Sequence, residues 1–408
     1  MRVSAILFLR LFLPFAFGNF LGSLYRSVNA VVAPDIVTEL RLNAEEIGLL
    51  TSIFFLFYAG VQIPLGMSLD RFGARRVTTV LFALAGLAAV LFANADDFTT
   101  LMIARAVMGI GISVAFMGAL KSVVEFVPRE KLPVTNSLIM TMGGAGVMSA
   151  TYPVQFALHY TDWRGVFIGI SIITLVVVLA IFFVAPEPPK RPVRTGGGAS
   201  SFRGVVAVFT DREFLRMVPI GSSAQGVNMA MSGLWAGPWL RDVSGLSRDE
   251  AAAVLFGMAT MITVSVFILG WIAQRLAHFG ISLLGTACCG IGGFIFFECM
   301  IIANPAVHPA LLWLPYAFCA TAPTLIYSIL AGNFTPDMAG RVNTAYNFTT
   351  FTFAFAVQWA LGAIIDLWPP VARGQFAPDG YRWGFAMIVA LQLCAFAWFF
   401  VARRKQLR

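Results

Sequence analysis

Long apolar segments, separated by short breaks of glycine, proline and charged residues, make up nearly the whole chain. A helix of about 20 apolar residues crosses the roughly 30 Å of hydrocarbon in a bilayer. The pattern predicts twelve such helices, at residues 8–34, 46–67, 77–95, 98–126, 133–158, 164–185, 214–241, 249–274, 279–303, 309–334, 341–367 and 381–402. We therefore predict an all-α polytopic membrane protein with twelve transmembrane helices.

One segment between the sixth and seventh predicted helices differs in composition. Residues 186–201 read PEPPKRPVRTGGGASS, and their prolines, glycines and charges disfavour both helix continuation and burial in a membrane. We predict an N-terminal six-helix bundle at residues 1–185, a cytoplasmic linker at 186–211 and a C-terminal six-helix bundle at 212–408.

The composition agrees with lipid as the solvent. Of 408 residues, 59% are hydrophobic and only 12% are charged, which is more apolar surface than a soluble domain can bury. A net charge of +8 could indicate nucleic acid, but the basic residues lie in short loops between apolar segments. The expected partners are therefore the lipid bilayer and a small-molecule substrate, with no nucleic acid.

The distribution of lysine and arginine predicts the orientation. With both termini cytoplasmic, the inside loops, linker and tails hold 18 of the 28 basic residues and the outside loops hold six. Basic residues accumulate on the cytoplasmic side, so both termini are expected in the cytoplasm of a bacterial-type inner membrane. The first apolar run is too long for a secretory signal and no small-residue cleavage site follows, so we expect it to remain as the first helix.

Two short motifs recur at a constant offset. Residues 66–76 read GMSLDRFGARR, and residues 270–275 read GWIAQR, which repeats the front of that motif 204 positions later. The same offset relates Pro34 to Pro238 and Glu46 to Glu250. Self-similarity at about half the chain length indicates two homologous halves.

The first motif resembles the G-x-x-x-D-R-x-G-x-R-R signature of the major facilitator superfamily (MFS) of secondary transporters. The resemblance implies the MFS fold, with two pseudo-symmetric six-helix bundles that expose a central site to each side in turn. It also implies coupling or gating roles for the residues that match the signature, namely Gly66, Asp70, Arg71, Gly73, Arg75 and Arg76. Gln274 replaces the acid in the second copy, so only the Asp70 copy can form the charged latch attributed to this loop.

A weaker repeat precedes the sixth and twelfth predicted helices. Residues 162–167 (DWRGVF) and 380–385 (GYRWGF) each place an aromatic side chain next to an arginine. We predict interfacial anchors at the level of the lipid headgroups. MFS chains carry a similar pair at these places, so the resemblance covers nearly the whole chain.

Arg26 is the main candidate for substrate binding. It lies eight residues before Pro34, which we expect to end the first helix, and so near the membrane midplane. The resemblance implies that this helix lines the central cavity, where Tyr25 and Asn29 would add hydrogen bonds. A guanidinium suits a carboxylate or a phosphate, so we hypothesise an anionic substrate held by Arg26. In the alternative interpretation, Arg26 pairs with a carboxylate of the protein and only orders the helices.

The fourth predicted helix carries a second buried arginine. Arg105, Gly109 and Gly111 resemble the R-x-x-x-G-x-G pattern of the family, which implies a coupling role for Arg105. The glycines allow close helix contact. Further along this helix, Lys121 and Glu125 are four residues apart and are predicted to pair with each other.

The second half offers mainly aromatic and amide side chains. The candidates for substrate binding are Gln225, Asn228, Trp235, Tyr316, Thr324, Tyr327 and Asn347. Glu298 is the acidic residue that lies well inside an apolar run, which makes it a candidate proton carrier. A structural role is favoured instead, because the resemblance places the ninth helix at the periphery. The five cysteines are interpreted as packing residues without metal ligation.

These features favour a secondary active transporter that moves a small organic anion by proton symport, as a monomer and without a cofactor or metal. Two alternatives stay open. Proton-coupled efflux of drugs or amphipathic compounds is weakened because residues 143–153 lack the Gly-Pro step of the antiporter motif. A transporter-like metabolite receptor would be favoured by an added cytoplasmic domain. An enzyme is not expected, since no HExxH, GxSxG or phosphate-binding loop occurs.

Overall fold

The computed structural model describes residues 5–128, 131–186, 207–304, 306–335, 338–372 and 374–404. These residues form helices joined by short turns, and within these ranges the one strand-like pairing is an isolated bridge between Ala372 and Gln375. The prediction of an all-α protein is confirmed.

The first half contains ten helices within the described residues. They are α1 (Ala5–Ser27), α2 (Asn29–Leu40), α3 (Ala44–Gly60), α4 (Gln62–Phe72), α5 (Ala74–Ala93), α6 (Phe98–Ile112), α7 (Val114–Phe126), α8 (Leu132–Ser149), α9 (Tyr152–Ala157) and α10 (Trp163–Val184).

The second half continues with α11 (Arg212–Ala230), a π-helical segment (Met231–Trp235), α12 (Ala236–Asp242), α13 (Arg248–His278), α14 (Leu283–Ala303), α15 (Ala310–Cys319), a 3-10 turn (Ala322–Thr324), α16 (Leu325–Asn333), α17 (Ala339–Ile365) and α18 (Pro378–Arg404). Each predicted apolar run coincides with one of these helices or with a broken pair of them.

Eight of the described helices or broken helices are long and apolar enough to cross a membrane. Counting the pair α3 and α4, which is bent by 49°, gives nine. The first, fifth and seventh predicted spans are outside this count, and in the structure each is divided into shorter helices. The number twelve stays a prediction.

One predicted helix end is wrong. Pro34 is expected from the sequence to end the first span, but it lies inside α2, which continues to Leu40. A proline removes one backbone donor, and a helix within a bundle tolerates this when its other turns remain packed. Arg26 therefore lies in the last turn of α1, 14 residues before Leu40, where α2 ends.

The chain forms two compact units. The first comprises Met1–Leu40 and Ile53–Gly198, and the second comprises Arg41–Ser52 and Ala199–Arg408. The start of α3 thus belongs with the second unit. The bundle boundaries at residues 185 and 212 stay a prediction. The sequence pattern does not indicate that residues 41–52 group with the second unit.

Matching helix caps explain one of the recurring sequence pairs. At the start of α3, the Glu46 backbone N–H donates to the Asn43 side chain over 2.7 Å, and the Asn43 N–H donates back to Glu46 over 2.9 Å. Ser247 and Glu250 form the same capping box at the start of α13. The two halves therefore share, 204 residues apart, a capping arrangement that satisfies the free backbone N–H groups at a helix start.

Glycines bring helices of the first unit into close contact, as predicted for Gly109 and Gly111. A Cβ atom on Gly109 would lie 2.4 Å from the Phe54 carbonyl oxygen on α3. On Gly111 it would lie 2.6 Å from the Leu81 carbonyl oxygen on α5. Any side chain at either position would force the helix backbones apart.

The two predicted interfacial anchors are buried instead. Trp163 is 1% exposed and donates its indole N–H to Glu39 over 2.7 Å. Tyr381 is fully buried and donates its hydroxyl to Asp242 over 2.8 Å. The prediction is wrong for these aromatic side chains because carboxylates at the ends of α2 and α12 give their polar atoms partners inside the protein.

The cysteines are only partly packing residues. All five are free thiols, and Cys289, Cys299 and Cys394 are exposed on the protein surface. Their surroundings in a bilayer are lipid, which is apolar enough to accept a thiol.

Candidate functional site

The signature motif is mostly helical, which corrects its interpretation as a loop. Gly66 lies inside α4, where a Cβ atom would meet nothing within 4 Å. Gly73 alone joins α4 to α5, and its φ of +81° lies in the region that favours glycine. The charged residues of the motif are therefore held at two helix ends.

Asp70 forms an ion pair with Lys121 on α7. The Asp70 side chain is 81% exposed and the Lys121 side chain is 24% exposed. The sequence predicts that Lys121 pairs with Glu125, but the Glu125 side chain lies outside the described residues. Lys121 thus connects the signature motif to the fourth predicted span, a contact that spacing along one helix does not reveal.

The arginines of the motif contact aromatic rings. The Arg75 guanidinium donates to the Phe182 carbonyl oxygen and lies 5.7 Å from the centre of the Phe182 ring. Arg71 covers the Phe72 ring at 5.1 Å. Arg76 is exposed and borders an apolar groove between α4 and α5. These contacts fix the start of α5 against α10.

Arg105 is 1% exposed and lies among three helices of the first unit. Its guanidinium donates to the Tyr25 carbonyl oxygen over 3.2 Å and covers the Phe54 ring at 5.0 Å. No ion pair involves Arg105 within the described residues, and its Nε has no hydrogen-bond partner there. The site is therefore a buried positive charge held by a carbonyl group and an aromatic face.

Arg26 belongs to the same cluster through aromatic residues of α3. Its electrostatic neighbour is the Tyr58 phenol, which also contacts the Gln62 side chain. The Tyr58 ring stacks on Phe54 with 6.2 Å between centres. Phe54 and Tyr58 thus link Arg26 to Arg105, and the described residues place no carboxylate beside either guanidinium.

The predicted neighbours of Arg26 divide into two groups. Tyr25 points elsewhere, because its hydroxyl bonds to Thr174 at 3.0 Å on α10. Asn29 follows the break at Val28 that separates α1 from α2, so it does not continue the helical face of Arg26. It is fully buried, and its amide has no hydrogen-bond partner in the described part of the chain. Asn29 thus has an unsatisfied buried amide, whereas Tyr25 packs helices together.

In the second unit, the Trp235 indole N–H bonds to a neighbouring helix and is not free to bind a ligand. It is fully buried and donates its indole N–H to the Gln358 carbonyl oxygen over 3.0 Å. The Gln358 side chain in turn donates to Thr51 at the start of α3. Gly48 allows this contact, since a Cβ atom there would lie 3.0 Å from the Gln358 carbonyl oxygen.

Tyr327 and Asn347 come together on α16 and α17. The Tyr327 hydroxyl donates to the Asn347 side-chain oxygen over 3.0 Å, and its ring meets Tyr346 edge-on at 4.4 Å. Both residues are partly exposed. This pair is the polar surface of the second unit that best fits the prediction.

The remaining candidates make other contacts. Asn228 accepts a bond from Ser232, and Thr324 donates to the Thr321 carbonyl oxygen. The Gln225 side-chain oxygen is buried without a partner among the described residues. Tyr316 is 1% exposed and stacks on Phe294 at 4.6 Å. Burial places Tyr316 inside the packing of α14 and α15.

Tyr58 and Gln62 are functional candidates that the sequence interpretation misses. Both are polar residues within the second apolar run, one helical turn apart, and that spacing is the available signal. The apolar pattern identifies this run only as a membrane span, and it does not relate the polar positions to Arg26.

The helices, their apolar surfaces and the buried cationic cluster define a polytopic α-helical membrane protein. The chain belongs to the Major Facilitator Superfamily, whose family profile matches residues 15–358. It is therefore an MFS transporter and not an enzyme.

Relatives and solved structures agree with this assignment. The probable sulfoacetate transporter SauU of Cupriavidus necator is 25% identical over 343 residues, covering 78% of this chain and 79% of the relative. The uncharacterised transporter YybO of Bacillus subtilis is 29% identical over 40% of this chain and 38% of its own length.

The solved structures show the same fold. A bacterial homologue of the human lysosomal transporter Spinster superposes with a TM-score of 0.78 at 18% identity, covering 98% of both chains. The nucleoside transporter NupG gives a TM-score of 0.73 at 12% identity, covering 95% of this chain and 99% of NupG. At these identities the likeness concerns the fold alone.

Proposed function

We propose that this protein is a secondary active transporter that moves a small organic anion by alternating access, coupled to protons. The main observation in support is the cluster of Arg26 and Arg105. These two guanidinium groups are joined by aromatic rings and have no carboxylate beside them in the described residues. Arg26 is the partly exposed member, which makes it the better candidate to contact a ligand, while Arg105 is enclosed. A cation inside a membrane protein requires a counter-charge or water.

The substrate class follows from guanidinium chemistry. Arginine binds carboxylate, phosphate and similar planar or tetrahedral oxyanions through paired N–H donors. The relative named as a probable sulfoacetate transporter supports the same class, because sulfoacetate carries a carboxylate and a sulfonate. We propose a bacterial-type inner membrane with both termini cytoplasmic, on the basis of the excess of basic residues in the loops on that side.

A counterflow assay in proteoliposomes tests this function. Vesicles are loaded with sulfoacetate, succinate, glycerol 3-phosphate or a neutral sugar, and uptake of the labelled compound is measured. Arg26→Gln should weaken anion binding by about 1.5–3 kcal/mol, or roughly ten- to hundredfold, through loss of the charged hydrogen bonds. Arg382→Gln is the matched control, since Arg382 is an exposed residue that pairs with Asp379 in the same helix turn.

The melting temperature and the saturation by anions together separate an effect of Arg26→Gln on binding from an effect on folding. The proposal requires that Arg26→Gln keeps the melting temperature of the wild type and loses saturation by anions. Equal counterflow by a correctly folded Arg26→Gln variant would remove Arg26 from the site. Counterflow of the neutral sugar alone would reject the anion class.

A groove in the first unit supports export of amphipathic compounds as the second candidate. It has a volume of about 450 Å³ and lies between α4, α5 and the junction of α6 and α7. Its lining is nearly all apolar and includes Pro64, Leu65, Phe72 and Val80, with Arg76 at its border. Amphipathic cationic dyes in the same assay test this function, and their saturable uptake would favour it.

A further inference from the structure

A buried acid in the second unit is not used by the anion site. Glu298 lies in α14, 3% exposed, and both of its carboxyl oxygens are buried without a hydrogen-bond partner in the described residues. An ionised carboxylate is disfavoured in such a place, because burial separates its charge from bulk solvent and no described basic residue pairs with it. This environment favours the neutral, protonated form of the group.

Two further polar groups surround this carboxyl. Gln392 on α18 and Tyr316 on α15 both interact with Glu298, and each is 1% exposed. The side-chain polar atoms of both residues also have no hydrogen-bond partner in the described part of the chain. Three helices thus contribute one polar side chain each to a common point in an otherwise apolar interior.

The other elements packed on α14 add no charge at this point. Tyr316 is the titratable group facing Glu298 from α15, and Cys319 lies a turn further, against Gly293. On α14 itself the neighbouring Cys299 interacts with Glu298. The described parts of α13, α16 and the 3-10 turn provide no lysine, arginine or acid that interacts with this carboxyl. An ion pair is therefore not the reason for its burial.

The hydrogen-bonding groups of Gln392 suit a Glu298 carboxyl that carries a proton. A protonated carboxyl offers one O–H donor and one carbonyl acceptor, and a glutamine amide offers the complementary acceptor and donor. An ionised carboxylate accepts from the glutamine N–H group alone, whereas the protonated form can use both the N–H and the C=O of the amide. Gln392 can therefore bond to the carboxyl in both protonation states, with one bond more in the protonated form.

The helix that carries Tyr316 contains breaks of the kind at which helices bend. α15 contains Pro315, ends at Cys319 and is followed by a 3-10 turn that contains Pro323 before α16 begins. Prolines and 3-10 turns mark the places where a membrane helix bends. Bending there would change how Tyr316 lies relative to Glu298, and thereby the access of water to the carboxyl.

We propose that Glu298, with Gln392 and Tyr316, forms a proton-binding site that couples proton movement to transport. The inference rests on the proposed transport function and assigns its proton to a defined carboxyl. The carboxyl binds one proton when water reaches it from one side of the membrane and releases it when water reaches it from the other.

Transport measurements test the coupling. Glu298→Gln mimics the protonated state, so it should exchange sulfoacetate within about twofold of the wild type but lose accumulation driven by a pH gradient by at least about tenfold. Glu250→Gln is the matched control, because Glu250 is exposed and glutamine preserves its helix cap. Full accumulation by Glu298→Gln, or accumulation driven by sodium instead of protons, would overturn the proposal.

Infrared spectroscopy tests the site without any substrate. The purified protein at neutral pH should show the C=O band of a protonated carboxylic acid, which is lost in Glu298→Gln and kept in Glu250→Gln. A missing band in the wild type would overturn the proposal. If the wild type exchanges none of the anions, the proposed function fails, and the band still decides whether Glu298 holds a proton.

A second variant covers the case in which Glu298→Gln does not fold. Gln392→Met keeps the acid and removes its complementary amide, so the band should shift and accumulation should move to a different pH range. An unchanged band and an unchanged pH profile in this variant would overturn the site.

Discussion

Trp163 donates its indole N–H to the Glu39 carboxylate over 2.7 Å and thereby joins the end of α2 to the start of α10. The second unit repeats the arrangement with Tyr381 and Asp242, which bond over 2.8 Å between α18 and α12. In each half, an acid at the end of the first predicted span holds an aromatic residue at the start of the sixth. Both the aromatic residue and the acid differ between the halves, whereas the two bonds join corresponding parts of the chain and have similar lengths.

Removing the indole donor should destabilise the first unit. Trp163→Phe keeps the aromatic packing on Phe92 but leaves Glu39 without one of its bonds. A hydrogen bond to a charged group contributes about 1.5–3 kcal/mol, so we expect a lower melting temperature in detergent. Trp383→Phe is the matched control, because Trp383 is 64% exposed. Equal melting temperatures for both variants would contradict a bond of this strength.

The pH dependence of stability should depend partly on Asp242. Burial raises the pKa of this carboxyl above its ordinary value of 3.8, against the opposing effects of Arg241 and Tyr381. A raised pKa in the folded state means that the stabilisation is fully present below pH 3.8 and is lost as the pH rises through the folded-state pKa. Asp242→Asn removes this loss and can still accept a bond from Tyr381.

Thermal melts of the wild type and Asp242→Asn across an acidic to neutral series measure this effect. The variant should gain melting temperature relative to the wild type as the pH rises. Asp379→Asn, a change at an exposed acid, should show no such trend. A constant difference between Asp242→Asn and the wild type at every pH would reject the prediction.

Two glycine substitutions should have opposite effects. Gly109→Ala places a methyl group 2.4 Å from the Phe54 carbonyl oxygen, where the backbone must shift. Overpacking of this kind costs about 1–3 kcal/mol, so expression and melting temperature should fall. Gly66→Ala meets nothing within 4 Å and lies inside a helix, so it should gain up to about 0.5–1 kcal/mol. Similar melting curves for the two variants would refute the close helix contact at Gly109.

The ion pair between Asp70 and Lys121 should affect turnover more than stability. An exposed pair contributes about 0–1 kcal/mol, so Asp70→Asn should leave the melting temperature nearly unchanged. If the pair strengthens one transport state, the variant should slow counterflow severalfold with little change in the half-saturating concentration. Lys121→Gln should have the same effect, and the double variant should add nothing further. Additive effects of the two single changes would show that the residues act independently.

The sequence by itself determined the helices, the repeat and the family. Apolar runs and capping residues such as Ser247 and Glu250 act within a few residues of themselves, so a linear pattern contains the information that forms a membrane helix. The signature motif and its offset copy identified the superfamily for the same reason. The linker at residues 186–211 lies mostly outside the described residues, and its placement remains a prediction from composition.

Only the tertiary structure decided which side chains meet. Adjacent residues such as Tyr25 and Arg26 point in different directions on a helix, and the packing of α3, α6 and α10 decides that one bonds to Thr174 while the other lies beside Tyr58. The pairing of Asp70 with Lys121 and the burial of Glu298 beside Gln392 also join distant parts of the chain. Such contacts depend on which helix faces pack together, and the energy of that packing is distributed over many residues far apart in the sequence.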